Sequence, residues 1–241
     1  MTESEIAEKF KITHSTKLLD VGGSLKQLQE IKVDTLVDLV HPQDSPYHPS
    51  PLKAKKFVRM DIENDDLPFP DKYFDFCYCS HTLEDLYYPT RILMEMSRVA
   101  KRGLIITPSR GEDITFGPFN LTQWGTGARR CPGLPHHQWL FETDKNTLIL
   151  TPKIYPLLFT PEFQIVNWRG EKENYYHWEE QLRFQQAKFT DIFAMISNYR
   201  DFAKRNMQYI SKGLVAISLD SPLPVLKEGI KSLFALGHRR S

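Results

Sequence analysis

Between residues 17 and 109, short apolar runs of β type alternate with stretches of helical period. That is the pattern of a parallel sheet whose strands are joined by helical crossovers. KLLDVGG (17–23) reads as a buried strand ending on glycines, SLKQLQEI (24–31) as a short helix, TLVDLV (35–40) as a second strand and KKFVRMDI (55–62) as a third. The intervening HPQDSPYHPSP (41–51) is rich in proline, which removes backbone donors and restricts its neighbours, so it is expected to be loop. FDFCYCS (74–80) predicts a fourth strand. A helix is expected from Thr82 to Lys101, where Ile92, Leu93, Met96 and Val99 recur at three- and four-residue intervals; Gly103 supplies its stop, and GLIITP (103–108) reads as a fifth strand.

The alternation ends at Ser109. Residues 111–135 are rich in Gly, Pro, Thr and Asn, HQWLFETDKNTLILTPKI predicts a hairpin turning at Asp144–Asn146, and EFQIVNW (162–168) predicts a strand. Leu182, Phe189, Ile192, Phe193, Ile196 and Tyr199 then suggest an aromatic-rich helix over 178–212, its stripe buried as core. Trp124, Trp139, Trp168 and Trp178 are expected to pack. The fold class is therefore α/β, a doubly wound, mostly parallel sheet with a C-terminal β-hairpin and a helical cap. Residues 1–110 would form the ligand-binding core, and residues 111–241 the substrate-side insertion, remaining strands and cap of the same compact domain.

Composition narrows the function. Thirty-one basic side chains against thirty acidic ones leave a formal charge of +1, too little field to hold a nucleic-acid backbone, so no nucleic acid is expected. The polar start and the absence of a long apolar run argue against export or a membrane span. Three cysteines, an odd number, suit a reducing compartment, and a cytoplasmic protein is expected. Cys77 and Cys79 share one strand face and read as buried thiols; Cys131, His136 and His137 match no recognised zinc spacing, so no metal is expected.

In an open parallel sheet the ligand crevice lies outside the carboxyl ends of the strands. There the sequence places Asp20, Gly22 and Gly23 after strand one, Asp38 after strand two, Asp61 after strand three, and Ser80 and His81 after strand four. Glycine lets a ligand approach the backbone. Asp38 stands at the distance from strand one at which an acid meets a ribose diol, while Asp61 could accept from an adenine amino group with Ile62 packed on the ring. A dinucleotide would want a G-x-G-x-x-G turn for its pyrophosphate, and D-V-G-G-S is not one. Acids at the strand tips favour a cationic ligand instead.

These segments resemble the class I S-adenosylmethionine-dependent methyltransferases of the type 11, ubiquinone-biosynthesis-like group. KLLDVGGS is similar to that family's first motif, VDLV to its acidic second-strand end, MDIENDDLPFPDKYFDFCYCSHTLEDL to its adenine-contacting acid and fourth strand, and RILMEMSRVAKRGLIITPS to its following helix and fifth strand. The resemblance implies a Rossmann-like core with S-adenosyl-L-methionine as cofactor. It assigns Gly22 and Gly23 to the methionine part, Asp38 to the ribose, Asp61 and Ile62 to the adenine, and Ser80 and His81 to the inner cleft. Two positions depart from the family: Leu25 or Lys26 stands where a further glycine is usual, and Asp85 where a histidine is common.

Methyl transfer from a sulfonium is an in-line displacement, so the protein mainly brings the acceptor close and excludes water. A base is needed when the acceptor atom carries its proton. His136 and His137 are the candidates, with Asp113, Tyr155 and His81 behind them. Adjacent side chains on a strand point to opposite faces, so one of the two histidines is expected to face the cleft. The acceptor is expected to be a small molecule or glycan, although no motif in 111–241 specifies it, and the oligomeric state is not readable. The alternative is a non-catalytic S-adenosylmethionine-binding scaffold of the same fold.

Overall fold

The computed structural model describes residues 1–46, 48–119, 129–160, 163 and 166–209. Its centre is a six-stranded sheet in which β1 (Leu18–Val21) pairs in parallel with β2 (Thr35–Asp38) and β4 (Phe76–Ser80). Outside these, β3 (Lys56–Arg59) adds in parallel to β2 and β5 (Arg102–Pro108) to β4. The sixth strand, β11 (Glu173–Glu179), runs antiparallel along β5, giving the order β11-β5-β4-β1-β2-β3. The strand order reverses between β1 and β4, and a doubly wound sheet opens its crevice at such a point.

Both sheet faces are apolar because successive residues alternate between them. Leu19, Val21, Cys77, Cys79 and Ile105 point to one face; Leu18, Phe76, Tyr78, Leu104 and Ile106 point to the other. The first face is covered by α2 (Pro89–Val99), whose Ile92, Leu93, Met96 and Val99 are wholly buried, and by Phe141, Leu148 and Leu150 of the hairpin β8 (Trp139–Asp144) and β9 (Thr147–Pro152). The second is covered by Ile6 of α1 (Glu3–Lys9) and by Leu28, Ile31 and Val33. Truncating any of the four α2 residues to alanine removes fully packed volume, a change that costs about 2–5 kcal/mol for Leu, Ile or Met.

Several sequence expectations are corrected. No helix forms over 24–31. The amide groups a helix would use are taken by side chains: one carboxylate, Glu3, accepts from the N–H groups of Gln29, Glu30 and Ile31, and the amide of Gln27 is tied to Ser50, Pro51 and Lys53. The helix expected from Thr82 begins only at Pro89, which occupies its first turn, where a missing N–H costs nothing. Gly103 is not that helix's stop but lies within β5; a Cβ there would sit 2.2 Å from the Trp178 ring and 2.3 Å from the Cys77 carbonyl oxygen. Strands β11 (173–179) and β12 (184–186) occupy the start of the helix expected over 178–212, since Tyr176, Trp178 and Leu182 are apolar positions of the core. Of EFQIVNW, the described strand is β10 (Val166–Asn167).

The chain divides into two compact units. The first comprises Met1–Asp113, His136–Lys153 and Glu171–Lys188; it holds the six-stranded sheet and a three-stranded sheet of order β12-β9-β8, with β12 at Phe184–Gln186. The second comprises Ile114–Pro135, Ile154–Gly170 and Phe189–Ser241. Within it β6 (Phe116–Phe119) pairs with β7 (Arg129–Pro132), and β10 pairs with β13 (Gln208–Tyr209). The short helix α3 (Arg110–Ile114) spans the change from first unit to second, and α4 (Tyr155–Leu158) lies in the second. Its main helix, α5 (Ile192–Asn206), is capped by Asp191, which accepts from the Ala194 N–H at 2.9 Å. Tyr199, Phe202 and Ala203 are its buried face, with Phe163 on Tyr199 and Trp168 on Phe202, whereas Ile192 and Phe193 are exposed. Trp124 and residues 210–212 of the expected helix lie outside the described residues.

Candidate active site

The carboxyl ends of β1, β2 and β4 open onto a cleft of about 290 Å³. Of the residues selected from sequence, Gly22, Asp38, Asp61, Ile62 and His81 line it, joined by Ser24, Thr82 and Asp85. Asp38 is held by the chain it serves: the Ser24 N–H donates to one carboxylate oxygen at 3.0 Å and the Val40 N–H to the other at 3.1 Å. Asp61 likewise accepts from the Glu63 N–H and the Asn64 side chain, and the Asn64 bond chiefly holds its carboxyl below the usual range. Each carboxylate oxygen has a second lone pair for a ligand hydroxyl or amine.

Gly22 has a positive φ of 74°, and a Cβ there would lie 2.3 Å from the Thr82 side chain. Glycine is therefore required twice over at this position. Gly23 faces inward: its Cβ would lie 2.2 Å from Asp20, so its role is to make room for that carboxylate. Asp20 is 1% exposed and both its oxygens lack a hydrogen-bond partner. Burial, reinforced by Asp38, pushes its carboxyl up to about 8. A buried acid without a donor is what a cationic ligand would complete. Ser80 ends β4 and is not among the cleft-lining residues; its carbonyl accepts from the Thr82 hydroxyl at 3.2 Å.

His81 adopts a left-handed backbone with φ 51° and sits between two carboxylates, Glu84 at 3.3 Å and Glu173 at 3.2 Å. The hydrogen bond with Glu84 is the main reason its imidazole is held above the ordinary pKa. Glu173 comes from β11, so this contact was invisible to a reading that placed no strand there.

The remaining edge of the cleft is built around Asp85. His136 Nε2 approaches its carboxylate at 3.5 Å and His137 Nε2 at 3.8 Å. The segment carrying them is tied to the loop after β4 by the Gln138 N–H, which donates to the Glu84 carbonyl at 2.6 Å. On its other side, His137 Nδ1 is 3.0 Å from Asp113, and Lys153 Nζ is 3.0 Å from the same oxygen. All three side chains are buried, at 4%, 3% and 0% exposure. Burial pushes Asp113 upward, but the bonds from His137 and Lys153 prevail and keep its carboxyl below the usual range. With Nδ1 turned to Asp113, Nε2 is the ring atom of His137 that faces Asp85. His136, in contrast, is more than half exposed. Sequence reasoning found both histidines and Asp113 but missed Glu84 and Lys153; the signal was a lysine ending an otherwise apolar strand. Tyr155 belongs to the second unit, where its ring packs on Phe159. A larger hollow of about 460 Å³ lies at the opposite strand ends, among Ser15, Asp75, Lys101 and Glu179, away from all these residues.

Residues 26–107, which include the cleft's second and third strand tips, match a family model described as a methyltransferase domain. The match covers about a third of the chain. The fold is the Rossmann-like class I type, and the cofactor of that family is S-adenosylmethionine. The residues present fit that group, since Asp38 and Asp61 line the cleft with carboxylates and Gly22 keeps the approach open, while Asp20 is buried and not among the lining residues. Among solved structures, the chain is similar to a S-adenosylmethionine-dependent methyltransferase from Aquifex aeolicus (22% identity over 44% of this chain and 64% of that one, TM-score 0.32). It is also similar to the complex of the Haloferax volcanii Trm112 methyltransferase activator with a methyltransferase (17% identity, 45% and 52% covered, TM-score 0.34). A third is the [4+2]-cyclase SpnF (21% identity, 44% of each chain, TM-score 0.35). The matches span about half the length of those structures. No curated protein sequence matches the chain. Among the described residues, no helix is long and apolar enough to cross a membrane.

Proposed function

We propose that the chain transfers a methyl group from S-adenosylmethionine to a small molecule or glycan whose acceptor atom carries a proton. The cofactor supplies an electrophilic methyl group on a sulfonium. Asp38 and Asp61 orient it by accepting from its ribose and adenine, Ile62 packs against the ring, and Asp20, beside Gly22 and Gly23, takes charge opposite its cationic end. His137 accepts the acceptor's proton at Nε2. Asp113, itself anchored by Lys153, fixes the tautomer and balances the imidazolium that results. His136 and Asp85 orient the acceptor at the cleft's edge.

The observation that carries this reading is the Asp113–His137 pair, buried, hydrogen-bonded at Nδ1 and presenting Nε2 next to a cleft-lining acid. A chain that merely binds the cofactor has no use for a buried Lys–Asp–His relay. The test is a turnover assay against hydroxylated small molecules and saccharides, following release of S-adenosylhomocysteine, with calorimetry of cofactor binding beside it. Turnover that falls at least a hundredfold in His137→Gln with cofactor affinity unchanged supports the assignment. Cofactor binding without turnover on any acceptor would select the scaffold reading, and no cofactor binding would end both.

A further inference from the structure

The edge of the cleft holds three potential metal ligands that neither the family match nor the sequence spacing assigns. One carboxylate oxygen of Asp85 and the Nε2 atoms of His136 and His137 all lie within 4.8 Å of one another. We propose that Asp85, His136 and His137 bind a divalent transition-metal ion of the zinc class. The inference rests on the proposed function only for its purpose, because the ion would hold an oxygen of the same acceptor.

Zinc takes nitrogen and oxygen ligands at about 2.0–2.2 Å, so tetrahedral ligand atoms sit roughly 3.4 Å from each other. The two imidazole-to-Asp85 distances, 3.5 and 3.8 Å, are close to that spacing. They are long for N–H···O bonds, so the three atoms surround a point without satisfying one another. Two imidazoles and one carboxylate form a donor set that borderline ions prefer and that magnesium or calcium does not.

The surroundings add an independent observation. A metal-bound histidine usually donates its other ring nitrogen to a carboxylate, which fixes the ring and raises its basicity. Asp113 does this for His137 from a buried position, and Lys153 fixes Asp113 in turn. His136 and Asp85 stay partly open to solvent, at 59% and 44% side-chain exposure. Three protein ligands with one open side leave a position for a ligand oxygen, the arrangement of a catalytic rather than a structural site. Loading the ion would take His137 Nε2 out of the proton-acceptor role; the ion would instead acidify the acceptor oxygen it holds, whose proton would leave to solvent.

Cobalt(II), added to chelator-treated full-length protein, is the probe, because it takes zinc sites and reports them through visible d–d absorption. One saturable equivalent at micromolar concentration is expected, displaced by zinc(II). His136→Ala, an exposed change that leaves the buried relay in place, and Asp85→Asn should each weaken binding by at least tenfold. Absence of saturable cobalt binding by the wild type would overturn the inference, and so would unchanged affinity in both variants. S-adenosylmethionine titrated into the same samples separates the two proposals. Cofactor binding without cobalt binding removes only the metal, whereas cobalt binding without cofactor binding removes the methyltransfer reading and leaves the metal site.

Discussion

The two ends of the cleft are built in opposite ways. At the strand-tip end, Asp20, Asp38 and Asp61 come from the tips of three parallel strands, and the last two are held by backbone N–H groups of the strand-end loops. At the Asp85 end, Asp85, Asp113, His136, His137 and Lys153 come from three separate stretches of the chain and contact one another. The first end is fixed by the fold and tolerates loss of one acid. The second holds a buried relay of His137, Asp113 and Lys153, so a single deletion breaks a buried ion pair.

The sharpest test of this contrast is Asp113→Ala. It removes the carboxylate that the Lys153 ammonium and the His137 ring share, and a broken buried pair typically costs about 3–5 kcal/mol, read as a large fall in thermal midpoint. Asp113→Asn should keep the fold better yet lower turnover through the wrong His137 tautomer, by roughly 10²–10⁴-fold if His137 is the base. If Asp113→Ala melts like the wild type, the two ends do not differ as described.

Asp20 should behave in the opposite sense. Its folded carboxyl stands at about 8 and its unfolded one near 3.8, so the folded state binds the extra proton between those values and stability falls as pH rises across that window. Asp20→Asn should therefore stabilise the ligand-free protein at neutral pH, on the order of 2 kcal/mol, and flatten the slope. Affinity for the cationic cofactor should rise with pH below 8 in the wild type and not in the variant. A variant less stable than the wild type at pH 7 would refute the assignment.

Smaller effects are expected at the strand-held acids. Asp38→Ala and Asp61→Ala should each cost about tenfold in S-adenosylmethionine affinity by calorimetry, equivalent to about 1.4 kcal/mol. Smallest is His81→Gln. The imidazole pKa is raised by Glu84 and then Glu173, so its pairing contributes below the unfolded value and is lost as pH rises through the raised one. With the ring 40% exposed, solvent screens the effect to under about 1 kcal/mol. Thermal midpoints at pH 6 and pH 8 should converge between wild type and variant only at the higher pH.

What the sequence revealed follows the same division. The α2 stripe, the two-faced strands and the acids at the strand ends are periodic or local features, and all were legible. β11 was not: the helix expected from residue 178 begins inside ENYYHWE, whose strand form depends on the partner that β5 supplies. The missing helix at 24–31 depended on Glu3, a contact no local propensity carries. Asp85 is the clearest case. Read along the chain it marks a histidine lost from a family pattern, whereas in space two histidines from the start of the hairpin segment approach it.

Glu3 has a consequence beyond the loop it organises. The stretch it fastens runs on from Ser24, whose amide positions Asp38. An outwardly harmless edit to the first helical turn, such as a shortened leader or a cloning scar, can thus reach the nucleoside pocket by slackening the tether. Reagents prepared from trimmed versions would then report weak ligand capture for reasons unconnected with the pocket's own side chains.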